Sequence, residues 1–201
     1  MAHVSISRGN SKMGDIQSVS LPAGLTCRKD CACYSKCYAR KLERLRATVR
    51  NAYHNNYDIL YTEPETYWRE VTASIMMSRY FRFHVSGDIP DDEYLVRMVD
   101  VADKNPHCEL LCFTKKYEIV NNYLDEHEKF PANLHMIMSV WQGMDYDNPH
   151  NLPEAHVRYK DGTTTASSGA FECNGNCTEC VTTDSGCWTL SYGEQVVFNE
   201  H

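Results

Sequence analysis

The order of apolar and polar positions is most regular in the middle of the chain. From Tyr80 to Ser86 the residues alternate, with Phe81, Phe83 and Val85 on one face and Arg82, His84 and Ser86 on the other. That pattern predicts a half-buried strand. Gly87-Asp88-Ile89-Pro90 ends it. Residues 91–104 then carry Tyr94, Leu95, Met98, Val99 and Ala102 at helical spacing, up to Asn105-Pro106. A strand is expected over 109–114, a helix over 116–129 and a strand over 134–140. Strand, helix, strand, helix, strand with short connections predicts parallel βαβ units. Right-handed crossovers then favour a barrel-like or open α/β sheet, and the form expected is a compact, incomplete (βα) barrel, TIM-like in plan.

The flanks are less regular. Ile16 to Leu21 reads as a strand, followed by the loop Pro22-Ala23-Gly24. Residues 38–60 are rich in Arg, Ala, Leu and Asn without Pro or Gly, which predicts one helix. Glu63-Pro64-Glu65-Thr66 starts another, with Tyr67, Val71, Ile75 and Met76 as its apolar stripe. After Trp141 the pattern degrades into a loop over 141–153, and Ala155 to Tyr159 gives one short strand. Residues 160–187 are Gly, Ser, Thr, Asn and Cys with almost nothing apolar. Such a segment cannot bury a core of its own, so a bound metal is expected to order it. Val196-Val197-Phe198 reads as a last strand before His201. The expected organisation is a barrel-like domain over 1–159, and a Cys-rich, metal-binding tail over 160–201 packed upon it.

Composition narrows the function. A length of 201 residues suits one domain able to bury a sizeable core. The formal charge of −7 argues against a broad surface for duplex DNA. No apolar run reaches the length of a membrane span, and Met1-Ala2-His3-Val4-Ser5 does not resemble a signal peptide. A cytoplasmic protein is expected, and in that compartment thiols stay reduced.

The cysteines are the strongest chemical signal. Eight of the ten form two quartets near the chain ends: Cys27, Cys31, Cys33 and Cys37, then Cys173, Cys177, Cys180 and Cys187. Each quartet supplies the thiolates for one complete four-ligand metal site. Disulfides are disfavoured by the compartment. A zinc ribbon usually pairs two C-x2-C knuckles. The first quartet has none, and the second has only Cys177-Thr178-Glu179-Cys180. Iron–sulfur clusters tolerate irregular spacing because the thiolates bind separate irons. The spacing therefore leans towards one or two iron–sulfur clusters of the [4Fe-4S] type, with zinc as the alternative. Cys108 and Cys112 read as core residues.

In a parallel sheet, function collects at the carboxyl ends of the strands. Those ends read Ser86-Gly87-Asp88, Thr114-Lys115-Lys116 and Ser139-Val140-Trp141-Gln142. Ser86, Gly87 and Asp88 are candidate cofactor contacts, and His84, Asp88 and Lys115 are candidate catalytic groups. Each also has a plainer reading: a core histidine, an N-capping aspartate, a solvated lysine. Trp188, beside Cys187, is placed to shield a cluster from water.

The two cysteine groups and the strand ends resemble the gene-product-88 domain proteins of bacteriophages and mobile elements. The matching stretches are Ser20-Leu21-Pro22-Ala23-Gly24, Cys37-Tyr38-Ala39-Arg40, Ser86-Gly87-Asp88, Phe113-Thr114-Lys115, Asn133-Leu134, Ser139-Val140, Cys180…Cys187-Trp188 and Phe198…His201. That resemblance implies a phage-type, Cys-rich α/β protein carrying iron–sulfur in the infected host cell, and no known reaction. A weaker resemblance is to radical S-adenosylmethionine enzymes, partial (βα) barrels with a cluster loop after the first strand. Theirs reads C-x3-C-x2-C; here that loop reads C-x3-C-x-C-x3-C.

Three roles follow: an iron–sulfur protein in redox or electron transfer, a radical enzyme, or a zinc-stabilised binding module. The partner would be a small molecule or a redox protein. No G-x-S-x-G, H-E-x-x-H, P-loop or G-x-G-x-x-G stretch supports hydrolase or nucleotide chemistry.

Overall fold

The computed structural model describes residues 3–200, so Met1, Ala2 and the expected terminal His201 lie outside the described residues. Its centre is one mixed, eight-stranded sheet that does not close on itself. In chain order the strands are β1 (Ile6–Ser7), β2 (Gln17–Val19), β3 (Tyr80–Phe83), β4 (Glu109–Thr114), β5 (Leu134–Ser139), β6 (Glu154–Arg158), β7 (Phe171–Glu172) and β8 (Gln195–Asn199). Their order across the sheet is β1-β2-β3-β4-β5-β6-β8-β7. Every neighbouring pair is parallel except β1 with β2.

The helices are α1 (Ala23–Thr26), α2 (Tyr38–Leu45), α3 (Ala47–Thr62), α4 (Pro64–Met76), α5 (Asp92–Lys104), α6 (Tyr117–His127) and α7 (Cys177–Thr182). The βαβ units expected around α5 and α6 are present, because each helix carries one apolar stripe for the sheet to cover. Asp91 caps α5 by accepting from the Tyr94 amide, at 2.9 Å.

The single helix expected over 38–60 is two helices, broken at Arg46 (φ −126°, ψ 96°). The two halves have different anchors. On α2, Glu43 accepts from the Ala23 amide and the Ser86 hydroxyl. On α3, Asn56 bonds to the backbone of Ser5 and Ser20. One straight helix would have to serve both.

The sheet separates two apolar layers. On one side Phe81, Phe83, Leu110, Cys112, Met136 and Met138 pack with the helices. On the other, Leu111, Ile137, Ala155 and Val196 pack with Met13, Ile16, Cys180 and Trp188. The tail thus covers the sheet face that the helices leave open. Sparse as its apolar residues are, Trp188 and Cys180 are buried and Phe171 packs beside them.

The alternation expected from Tyr80 to Ser86 breaks at His84, which has φ +60°. That left-handed conformation is uncommon outside glycine. It turns the imidazole away from the face of Arg82 and into the helix-side core. Ser86 then points to Glu43, with 3.1 Å between Ser86 Oγ and the carboxylate.

Candidate metal centre

Both cysteine groups open into one cavity of about 620 Å³. Its wall includes all eight quartet cysteines together with Ser86, Gly87, Asp88 and Lys115. The chain's two ends therefore meet at one place, which the parallel sheet makes possible. The loop after β2 brings the first group over the strand ends. The tail returns across the open sheet face and brings the second. Cys108 and Cys112 stand apart, fully buried in the helix-side core.

Within the first group, the Cys31 and Cys33 sulfurs are 2.7 Å apart, and Cys31 lies 3.6 Å from Met144 Sδ. The hydrogen bond between the two thiols holds Cys31 down to about 6 and pushes Cys33 up. Burial, reinforced by Asp88, pushes Cys27 up to about 12, while Lys115 draws it down. In the second group burial pushes Cys187 up to about 12, and also raises Cys177 and Cys180. Arg82 pulls Cys177 and Cys187 in the opposite direction. Each group thus has cations beside it, Lys115 and Arg28 for the first and Arg82 and Lys12 for the second. All ten cysteines are free thiols. Among the described residues no three His, Cys, Asp or Glu side chains converge on the position of a single ion. The sulfurs are spread around a wall instead.

The rim is held by a buried carboxylate. Asp88 accepts from the Thr114 hydroxyl at 2.6 Å, the Lys115 amide at 2.9 Å and the Ile89 amide at 2.8 Å. Its own amide donates to Thr26 Oγ1 at 3.0 Å, which ties the rim to the turn before Cys27. Burial raises the Asp88 carboxyl, and these hydrogen bonds and Lys115 act against that rise. Asp88 is not the N-cap of α5, a position taken by Asp91. Gly87 (φ +84°) lets these segments meet: a Cβ there would lie 2.6 Å from the Leu21 carbonyl oxygen and 2.8 Å from Thr26 Oγ1. Lys115 Nζ donates to Ser139 Oγ at 2.9 Å.

His84 also lines the cavity, and both its ring nitrogens are engaged by core groups. Nε2 meets the Tyr94 hydroxyl at 3.1 Å, and Nδ1 faces Cys112 Sγ at 4.0 Å. Tyr94 continues to Tyr67 at 2.9 Å. Burial, with Arg82 adding to it, holds the imidazole down to about 3. Tyr67, Tyr94 and Cys112 are all pushed up, so they stay protonated through the acid range.

A pH dependence follows. The unfolded imidazole binds its proton near pH 6.5, whereas the folded one does not until about 3. Between those values the unfolded chain holds the extra proton, so His84 destabilises the fold as pH falls below about 6.5. The expected slope reaches about 1.4 kcal/mol per pH unit. Urea unfolding at pH 7, 6 and 5 measures it. His84→Asn, a residue that tolerates positive φ, should flatten the slope. An equal slope in the variant refutes this account.

Two buried groups escaped the sequence reading. Glu43, a lone acid within Arg40-Lys41-Leu42-Glu43-Arg44, braces the first cysteine loop from behind through Ala23 and Ser86. Its isolation among cations was the available signal. His156 joins the Glu154 carboxylate at 2.9 Å and Thr165 Oγ1 at 2.8 Å. Nothing local in the sequence marks that pair, because Thr165 comes from a separate loop.

Fold and site together define a Cys-rich mixed α/β protein whose two cysteine groups share one cavity. The family model for gene product 88 matches residues 4–190, which include both groups. The chain belongs to that family. It is also similar to the Gene 88 protein of Mycobacterium phage L5, with 28% identity over 121 aligned positions, 53% of this chain and 51% of the relative. It thus spans about half the length of the curated relative it matches. No solved structure matches. No helix among the described residues is long and apolar enough to cross a membrane.

Proposed function

We propose that this chain is an iron–sulfur protein of the infected host cell, with a redox or electron-transfer role. A [4Fe-4S] cluster is assigned to Cys27, Cys31, Cys33 and Cys37. A second cluster, or a structural metal, is assigned to Cys173, Cys177, Cys180 and Cys187. The open sheet is read as a compact, incomplete (βα) barrel with the functional site at its rim. One observation carries the proposal: eight cysteines from opposite ends of the chain line one cavity.

The donor set fits such a group. Burial favours the protonated form of Cys27, Cys177, Cys180 and Cys187, and a bound cation is what converts buried thiols to thiolates. Thiolates around a cluster bind separate irons and need not meet at one point. That agrees with sulfurs distributed over a wall. Lys115 and Arg82 offset the negative charge of thiolate ligation, and Trp188 limits water at the second group. A cluster held there would supply one-electron transfer. The chain's own part is to bind, to exclude water and to set the local charge.

The test is an anaerobic preparation. It should be brown and contain iron and acid-labile sulfide. A colourless protein with stoichiometric zinc would overturn the reading in favour of a zinc-stabilised binding module.

One feature favours a second reading. The radical-enzyme spacing C-x3-C-x2-C, missing from the loop after β2, occurs in the tail at Cys173, Cys177 and Cys180. Under this reading Cys187 is not a ligand, which would leave one iron open. Formation of 5′-deoxyadenosine from S-adenosylmethionine by the reduced, reconstituted protein would support it. No cleavage would count against it.

A further inference from the structure

We propose that the space between the two cysteine groups binds a small organic acid, whose carboxylate is received by Arg82. This goes beyond the cluster assignment. It takes the two cysteine groups as the ends of the chamber and does not depend on which metal they hold.

Arg82 carries an unsatisfied donor. Arg82 lines the cavity, yet its Nε is buried without a hydrogen-bond partner. Its guanidinium lies 4.9 Å from the ring centroid of Phe113. A planar guanidinium stacked on an aromatic face is fixed in orientation, so its donors are already aimed. A buried N–H left unpaired is costly. Besides the thiolate charge that Arg82 offsets, its unpaired Nε–H calls for an acceptor that no group among the described residues supplies.

Among the other cations lining this cavity, Lys115 donates to Ser139, Arg28 donates to Asp30, Lys36 lies 3.7 Å from the Glu200 carboxylate, and Lys12 lies 4.7 Å from the Phe198 ring centroid. A guanidinium with an unpaired Nε–H suits a monoanion with two oxygens in one plane, which is a carboxylate. A phosphate dianion would call for more donors.

The lining specifies the rest of the ligand. Leu111, Phe113, Ala155, Val157 and Phe198 form the wall on the sheet side, and Trp188 comes from the tail. Register explains their common direction. Arg82 pairs with Leu111, Phe113 with Ile137, and Val157 with Phe198. A cavity of about 620 Å³ with an apolar wall on its sheet side is within the usual range for small-molecule sites. An acid with an apolar or aromatic body fits both parts.

The test is calorimetric titration of the metal-loaded protein with benzoate and hexanoate, and with benzamide as the uncharged match for benzoate. At least one acid should bind saturably at millimolar concentration, and benzamide at least tenfold more weakly than benzoate. Arg82→Gln should weaken the acid about ten- to hundredfold and erase its advantage over the amide. Arg82→Lys keeps the charge without the planar fork and should lose less. If Arg82→Gln does not fold, the lysine variant and the benzamide comparison still decide. No saturable binding of either acid overturns the proposal. So does equal binding of benzamide, or unchanged affinity in the variants. Loss of metal from Arg82→Gln with acid binding unaltered would also overturn it, because Arg82 would then serve only as counter-ion to the thiolates. Wild-type metal analysis separately tests the cluster assignment.

Discussion

Replacing Asp88 with alanine is expected to lower the unfolding free energy by about 3–6 kcal/mol, the largest loss for any single side chain at the rim. The carboxylate accepts from Thr114, Lys115 and Ile89, all at the junction of β3 and β4. Removing it leaves two backbone amides and a hydroxyl without their acceptor in a buried place. Each such group costs about 1–3 kcal/mol. Thr114 Oγ1 also accepts from the Lys116 amide, so its own loss is partly offset. Asp88→Asn keeps the shape and one good acceptor, and should lose less, about 1–3 kcal/mol. Urea unfolding at neutral pH measures both. The damage should extend to the site, since Asp88 also fixes the Lys115 backbone and, through Thr26, the turn before Cys27. Metal retention should fall with stability in the alanine variant. A loss under about 1 kcal/mol for Asp88→Ala would show that the rim is held by something else.

What was legible in the sequence was what depends on local pattern. The periods of 91–104, 109–114, 116–129 and 134–140 located α5, β4, α6 and β5, because an element with one buried face writes that face into its own residues. The matching stretches also pointed to the family to which the chain belongs. What failed depended on partners far away in sequence. The break at Arg46 reflects two anchors, Glu43 to Ser86 and Asn56 to Ser5, neither visible from helix propensity. The turn of His84 away from Arg82 needed the Tyr67–Tyr94 pair, which comes from two other helices. The meeting of the two cysteine groups lies between these cases. Spacing showed that each group was a unit. Only the return of the tail to place β8 between β6 and β7 brought both to one cavity.

The tail itself gives the second large effect. Stripping the metal should make residues 160–187 the preferred site of proteolysis, at a rate at least tenfold above that of the loaded protein. Tenfold corresponds to about 1.4 kcal/mol in the free energy of local opening. Two forces order this segment. One is packing, through Phe171, Cys180 and Trp188 against Leu111, Ile137 and Val196. The other is the proposed metal ligation. Packing is thin between those points. Helix α7 has six residues, too few to persist alone, and its cap rests on Asn176 accepting from the Glu179 amide. Cys173, Cys177 and Cys187 are only partly buried, so without metal they contribute little apolar burial. By contrast, β8 is bonded along both sides and β6 along its whole length to β8. Cleavage should therefore stop at the sheet and leave the helix-backed core intact. Limited proteolysis with mass mapping, before and after anaerobic chelation, reads this directly. Cys177→Ser should reproduce the stripped pattern without chelator. Identical fragment patterns and rates in loaded and stripped protein would mean that Trp188 and its neighbours suffice, and that the second quartet holds no structural metal.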